Sequence, residues 1–328
     1  IRRQQQQIAT QPIETPASND TAKAWDHAAV AAAPPVVSGT ATPVKVSMAE
    51  RLKIESADGL YSFEPYGRVH YDYTAFGDDK LDRGNNAQLR RARLGFRGKM
   101  GEDLAYRMEM DFANEDTNIR DAYLTYSGVD PVDIHLGNMK PAMGLEQLTS
   151  SNDIAFIERA ASTNAFTRGH ILGAAVTSGD DNWSLRGGIY NEDARTNNGT
   201  DDEAVSADLR LTGDLLYNSP HVLHMGASGS WRRPNSVANT MTFAAAPAGA
   251  GPLSIVSTGA IAGVDHALVY GGELAGIFGP WSVQGEYLRA DIDRGTLPSA
   301  SFDGWYAQTG WLLTGETRPY SGKDGVTG

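Results

Sequence analysis

Arg91, Arg93, Arg97 and Lys99 alternate with Ala92, Leu94 and Phe96 in the stretch QLRRARLGFRGKM. In an extended chain, side chains two positions apart share a face and stand about 6.6 Å from one another. The spacing therefore predicts a row of four cations on one side of a strand. Arg68 and Arg107 fall on the polar phase of the stretches before and after it, and Arg186 and Arg210 hold comparable positions further on. A guanidinium offers a planar fork of donors that suits phosphate-like oxygens. The implied chemistry is attraction of anions along a wall, with no bond made or broken. The alternative is that these arginines pair with Asp72, Glu109, Asp111 and Asp121 and only stiffen the wall.

A second set of charges lies in residues 139–168, MKPAMGLEQLTSSNDIAFIERAASTNAFTR. On both sides the chain alternates apolar and polar residues, whereas this segment does not, and it is far longer than an ordinary hairpin connection. It is expected to be a loop folded into the interior of a β-barrel, where it narrows the passage. Lys140, Arg159 and Arg168 are its basic candidates. Ser150 and Ser151 could donate hydrogen bonds to a desolvated anion, and Glu146 and Glu158 are expected to tie the loop to wall arginines.

These groups need a scaffold, and composition limits which one. The chain has 328 residues, no cysteine, and 28 basic residues against 40 acidic ones, a formal net charge of −12. Absent cysteine removes disulfides, thiol catalysis and Cys-ligated metals. The acidic balance argues against nucleic acid as a partner. There is no apolar run of about eighteen residues, so no transmembrane helix is expected. Barrel strands alternate, so a mean hydropathy of −0.37 fits a barrel as well as a soluble protein. The sequence begins at Ile1 without signal-peptide features and is read as processed or as a fragment. Residues 1–59 read as a tail and linker: IRRQQQQIA as the end of a helix or coiled coil or a disordered stretch, then an Ala/Pro/Thr-rich run. Val44, Val46, Leu52 and Ile54 suggest a short extended piece within it.

From about residue 60 the period becomes two. Val69, Tyr71 and Tyr73 oppose Arg68, His70 and Asp72, and the same alternation recurs in about twelve segments up to WYAQTGWLL. Tight turns are expected at 101–103, 178–181, 218–220 and 279–280. Long connections are expected at 77–86, 139–168, 191–203, 234–263 and 291–301, with a shorter one at 114–118 on the same side. Short turns at one rim and long loops at the other are the habit of outer-membrane barrels. Aromatics near strand ends (Tyr66, Phe76, Tyr126, Trp183, Tyr190, Tyr217, Trp231, Phe278, Trp281, Trp305, Trp311) suit the girdles at the membrane interfaces.

RRARLGFRGKMGEDLAYRMEMDFA, IRDAYLTY, HLGNMKPAMGLEQLTSSNDIAFIERA and WLLTGETRPY, in that order, resemble the phosphate-selective porin O/P family of Gram-negative outer membranes. The resemblance spans roughly residues 62–320. It implies an all-β antiparallel transmembrane barrel of sixteen strands, about twelve of them present here. It also implies a homotrimer among outer-membrane lipids and passage of small anions such as phosphate or polyphosphate. The polar end, SGKDGVTG, where barrels usually finish on an aromatic strand, suggests a truncated chain.

No cofactor is expected. His221 and His224 fall on opposite faces, so no metal site is read there, and the acidic loops 78–82 and 198–202 match no full calcium motif. Neither G-x-S-x-G nor H-E-x-x-H occurs, which gives no basis for an enzyme. The expected function is passive diffusion of anions. The alternatives are a weakly selective porin, an envelope protein that tethers the outer membrane through its N-terminal segment, and a soluble β-sandwich.

Overall fold

In the computed structural model, the described residues are 43–48, 51–77, 84–113, 117–191, 204–218, 220–246, 254 and 256–328. Their main feature is one sheet. Its first strands are β1 (Val44–Ser47), β2 (Lys53–Ser56), β3 (Ser62–Thr74), β4 (Asn86–Lys99), β5 (Leu104–Asp111), β6 (Asn118–Val129) and β7 (Val132–Met139). Two short helices follow, α1 (Leu145–Leu148) and α2 (Ala161–Phe166). The sheet resumes with β8 (Ile171–Gly179), β9 (Trp183–Tyr190), β10 (Val205–Asn218) and β11 (His221–Arg233). Four two-residue strands decorate the next connection: β12 (Thr240–Met241), β13 (Ala244–Ala245), β14 (Val256–Ser257) and β15 (Ile261–Ala262). Then come β16 (His266–Phe278), β17 (Trp281–Arg294) and β18 (Leu297–Trp311), and a last small hairpin, β19 (Tyr320–Ser321) and β20 (Val326–Thr327).

Each strand of the large sheet pairs antiparallel with its neighbour in sequence, in the order β1-β2-β3-β4-β5-β6-β7-β8-β9-β10-β11-β16-β17-β18. The twelve long strands lie where the alternation placed them. The short β1–β2 hairpin, built from the extended piece at 44–56, brings the sheet to fourteen. Among the described residues no ladder joins β18 to β1 or β3, so the sheet is open along β18. One connection differs from expectation. Residues 291–301 form no long loop: β17 runs into β18 through a tight turn, with Arg294 opposite Leu297 and Gly295 at φ 59°. A positive φ is what glycine tolerates and most residues do not. The acidic loops 78–82 and 198–202 lie outside the described residues, as do residues 1–42 of the N-terminal tail.

The burial pattern is inside-out for a soluble protein. Leu209, Leu211, Leu274, Val283, Tyr287 and Trp305 are exposed, and Trp305 reaches 71%. Their strand neighbours Asp208, Arg210, Thr212, Glu273, Gln284 and Glu286 are buried. A continuous apolar outer surface cannot face water over so wide a sheet, but it is what hydrocarbon requires of a barrel. Trp183, Phe278, Trp281 and Trp311 stay on that outer surface as expected, and the rings of Trp281 and Trp311 stack at 4.9 Å. Tyr217, opposite the buried Val222, instead turns its ring to Tyr320, 6.1 Å away. Tyr66 and Tyr190 differ: Tyr190 is buried against Met139, Ile171 and Ala175, and Tyr66 lies on the inner face beneath Arg107.

The interior has an apolar side and a polar side. On the inner face of β16–β17, Val269, Leu288, Ala290 and Ile292 pack with Met143 and Phe166 of the 140–170 loop, and with Phe243 and Val264 from the connection carrying β12–β15. Gly304 of β18 makes room for α2: a Cβ there would lie 3.1 Å from Ser162 and 3.2 Å from Phe166. The polar side is the inner face of β3–β9.

Candidate functional site

The loop 140–170 leaves β7 and crosses the interior to the opposite part of the sheet. The backbone N–H groups of Leu145 and Glu146, at the start of α1, donate to the two carboxylate oxygens of Glu286 on β17 at 3.0 and 2.8 Å. Tyr306 of β18 donates to the same carboxylate at 2.7 Å. Gly144 holds the approach, at φ 76°, and a Cβ there would sit 2.9 Å from Glu286. The far end of the loop reaches β3 and β4. Arg68 donates to Ser151 at 2.9 Å and also to Asn152, and Arg90 pairs with Glu158. One loop thus touches β3 and β17, near the two ends of the sheet order, so the sheet must wrap around it.

The loop's own cations serve its shape as well as its charge. Arg159 donates to the carbonyls of Glu146 at 2.8 Å and Thr149 at 2.7 Å, and Lys140 to that of Gln147 at 2.7 Å. Carbonyls at the end of a helical turn lack internal partners and favour nearby cations. Burial pushes the Lys140 ammonium down to about 7, with the Arg159 charge adding to it and Asp121 opposing. Glu146 differs from expectation. It meets no wall arginine; its carboxylate accepts from the Ala160 N–H at 3.0 Å and the Thr163 hydroxyl at 2.7 Å, binding the loop to itself. Arg168 crosses to β10, pairing with Asp208 at 3.1 Å.

Between loop and wall lies a cavity of about 1110 Å³. Its lining includes Arg68, Arg91, Arg93, Arg97, Arg107 and Arg186 from the wall, and Lys140, Ser150, Ser151, Glu158, Arg159 and Arg168 from the loop. Several wall arginines are paired. Arg93 meets Glu109 and Asp111, both at 2.8 Å, Arg97 meets Glu64 at 2.9 Å, and Arg107 meets Asp121 at 2.8 Å. Arg91 stands beside His70 at 3.3 Å, and Arg186 donates to the Lys140 carbonyl at 2.9 Å. The wall arginines thus divide into those paired with acids and those without a close carboxylate among the described residues. The balance decides the sign: thirteen Arg and Lys residues line the cavity against seven Asp and Glu, in a chain whose net charge is −12.

Two expected wall cations are elsewhere. Lys99 is exposed at the end of β4, outside the cavity. Arg210 faces inward but is buried and spent: it donates to Glu273 at 3.1 and 3.2 Å and to the Gly325 carbonyl at 2.6 Å. Conversely, strict alternation missed Arg90 and Arg120, which line the cavity beside Arg91 and Asp121. The pairing skips Arg90 between His70↔Arg91 and Tyr71↔Leu89. It likewise sets Arg120 and Asp121 together opposite Glu109. A β-bulge puts two residues against one, so adjacent residues can both turn inward. The signal was present as consecutive charged pairs that broke the alternation.

A further segment, 312–328, folds inside as well. Lys323 lies 3.5 Å from Asp133, Arg318 donates to the Asp153 carbonyl, and Thr327 stands 3.4 Å from Thr149. Lys323, Asp324 and Val326 line the same cavity.

Comparison with known proteins places this geometry among relatives. The model of the family described as phosphate-selective porin O and P matches residues 63–326. An uncharacterised protein of Caulobacter vibrioides is 30% identical over 328 residues, covering 95% of this chain and 65% of the relative. Porin O of Pseudomonas aeruginosa is 28% identical over 300 residues, covering 82% of this chain and 68% of the relative. The chain thus spans about two thirds of the length of these relatives. Among solved structures, in-vitro folded OmpT, an outer membrane protein of Vibrio cholerae, aligns with a TM-score of 0.52 at 14% identity. That alignment covers 77% of this chain and 72% of OmpT, and it bears on the fold alone.

Proposed function

The chain belongs to the phosphate-selective porin O and P family, and from that premise we propose that it forms a passive anion path through a Gram-negative outer membrane, with phosphate-like solutes preferred. The observation that carries the reading is the cation excess of the cavity beside the 140–170 loop, six charges by the count of its lining. Fixed charge at a narrow, water-poor place raises the local concentration of counter-ions and sets selectivity. Among the described residues, Arg68, Arg91 and Arg186 have no carboxylate within 3.5 Å, Arg68 standing 3.9 Å from Glu109, and they supply the field most directly. Arg93, Arg97 and Arg107 hold their shape through their acids and add less. The loop, clamped by Glu286 and Arg68, acts as the constriction. Assembly as a homotrimer is what family membership adds to the reading.

Flux into proteoliposomes tests this. Inorganic phosphate should enter faster than a neutral sugar of similar size. Equal rates would favour the second reading, a weakly selective porin, which the pairing of Arg93 and Arg107 with acids supports. The tethering alternative rests on the N-terminal segment, of which residues 1–42 lie outside the described residues; unaltered envelope integrity after deletion of residues 1–46 would count against it.

A further inference from the structure

On the inner face of β10, β11 and β16 a buried cluster grips the 312–328 segment. His224 is fully buried and lies between two carboxylates whose side chains are each about 1% exposed, Glu273 and Asp214. Its Nε2 stands 2.9 Å from Glu273, and its Nδ1 stands 2.7 Å from the hydroxyl of Tyr320. That hydroxyl is 2.5 Å from Asp214 Oδ1. Arg210 completes the surroundings, bound to Glu273 and to the Gly325 carbonyl. This cluster therefore holds the segment at two points, Tyr320 and Gly325.

Counting protons decides the state of this cluster. Three contacts must each contain one hydrogen: Glu273 to His224, His224 to Tyr320, and Tyr320 to Asp214. A neutral imidazole has one N–H and a phenol one O–H, while ionised carboxylates have none. Two hydrogens cannot fill three contacts. Charge points the same way: with a neutral histidine, Arg210 is outnumbered by Glu273 and Asp214, and one net negative charge would be buried, which is costly.

We propose that this cluster is a proton-binding site that latches the 312–328 segment inside the barrel. It holds one proton beyond those of neutral His224 and Tyr320, shared along the chain Glu273–His224–Tyr320–Asp214. When that proton leaves, the His224 Nδ1 and Tyr320 oxygen face each other with lone pairs only, and the grip on Tyr320 weakens. Lys323 and Asp324 line the cavity, so release changes the cross-section and charge of the passage. The groups facing His224 are Asp214 and Arg210 on β10, Glu273 on β16 and Tyr320 on β19. The latch rests on this geometry alone, independent of which solutes the pore prefers.

The chain has no cysteine, so a single Lys323→Cys reports the segment's accessibility without background. Its labelling rate by a maleimide is measured in the full-length protein, relative to the same cysteine with Tyr320→Phe, which cancels the thiol's own titration. Tyr320→Phe removes the hydroxyl and breaks the latch at every pH. The ratio should be about a tenth near pH 6 and climb towards one near pH 9, as expected for loss of one hydrogen bond to a charged group. Asp214→Asn supplies a permanent donor to Tyr320, which can then donate to neutral His224. Its labelling should stay slow across the range. A ratio that does not vary with pH, or Asp214→Asn labelled as fast as Tyr320→Phe, would overturn the proposal.

Discussion

Glu286→Gln is the sharpest perturbation of the loop's position. The native carboxylate accepts three hydrogen bonds, from Leu145 N–H, Glu146 N–H and Tyr306 O–H, at 3.0, 2.8 and 2.7 Å. An amide has the same size but only one oxygen. One backbone N–H of α1 must then face an NH2 group and lose its partner in a buried place. A hydrogen bond to a charged group contributes roughly 1.5–3 kcal/mol, so the docked loop should lose about 2 kcal/mol relative to an undocked one. That is roughly a thirtyfold shift in the docking equilibrium. The strands themselves keep their ladders, so resistance of the barrel to thermal unfolding should change little. Two readouts follow: amide hydrogen exchange at Leu145 and Glu146 should quicken by about the same thirtyfold, and single-channel current should become larger and noisier. Unchanged exchange at both amides would refute the claim that Glu286 clamps the loop.

Gly144→Ala attacks the same joint from the backbone side, since φ 76° and the nearness of Glu286 should cost on the order of 1–3 kcal/mol; noisy conductance like that of Glu286→Gln is the expected sign. Glu158→Gln removes the partner of Arg90 and should loosen the β4 end of the loop while sparing the Glu286 end, which exchange at residues 150–158 would resolve from exchange at 145–146. Lys140 gives a pH dependence. Its buried ammonium titrates at about 7, so it is cationic below that pH and neutral above it. Anion preference should therefore rise as pH falls through 7, and the rise should flatten in Lys140→Met. Raising the salt concentration should reduce the preference throughout, because the Debye length shrinks from about 10 Å at 0.1 M to about 3 Å at 1 M.

The strands were legible because each face of this sheet meets a different medium. Lipid outside and charge inside impose period two on almost every strand, and the inner position of Arg68, Arg91, Arg93, Arg97 and Arg107 followed from it. The failures sit where the period breaks or where a long-range partner decides. Arg90 and Arg120 turn inward through bulges, which a fixed period assigns to the wrong side. Arg210 has the correct phase, but Glu273, 63 residues away, takes up its charge. Lys99 also has the correct phase, yet it lies at the rim, where phase no longer decides what a side chain faces. Glu286 is a lone acid on a regular strand in the sequence; only the folded chain brings α1 against it. The residues of the constriction loop were visible as a group, while their bonding was not, because backbone carbonyls and amides carry no signal in side-chain chemistry.

The sign of the charge that passes most directly tests the role of the arginine-lined cavity. Under a potassium chloride gradient across a planar bilayer, the reversal potential of the full-length protein should show anions passing more readily than cations. The triple variant Arg68→Ala, Arg91→Ala, Arg186→Ala should bring it close to zero. A reversal potential of cation sign in the native protein, or one that the triple substitution leaves unchanged, would contradict the assignment of the arginine-lined cavity as the anion path.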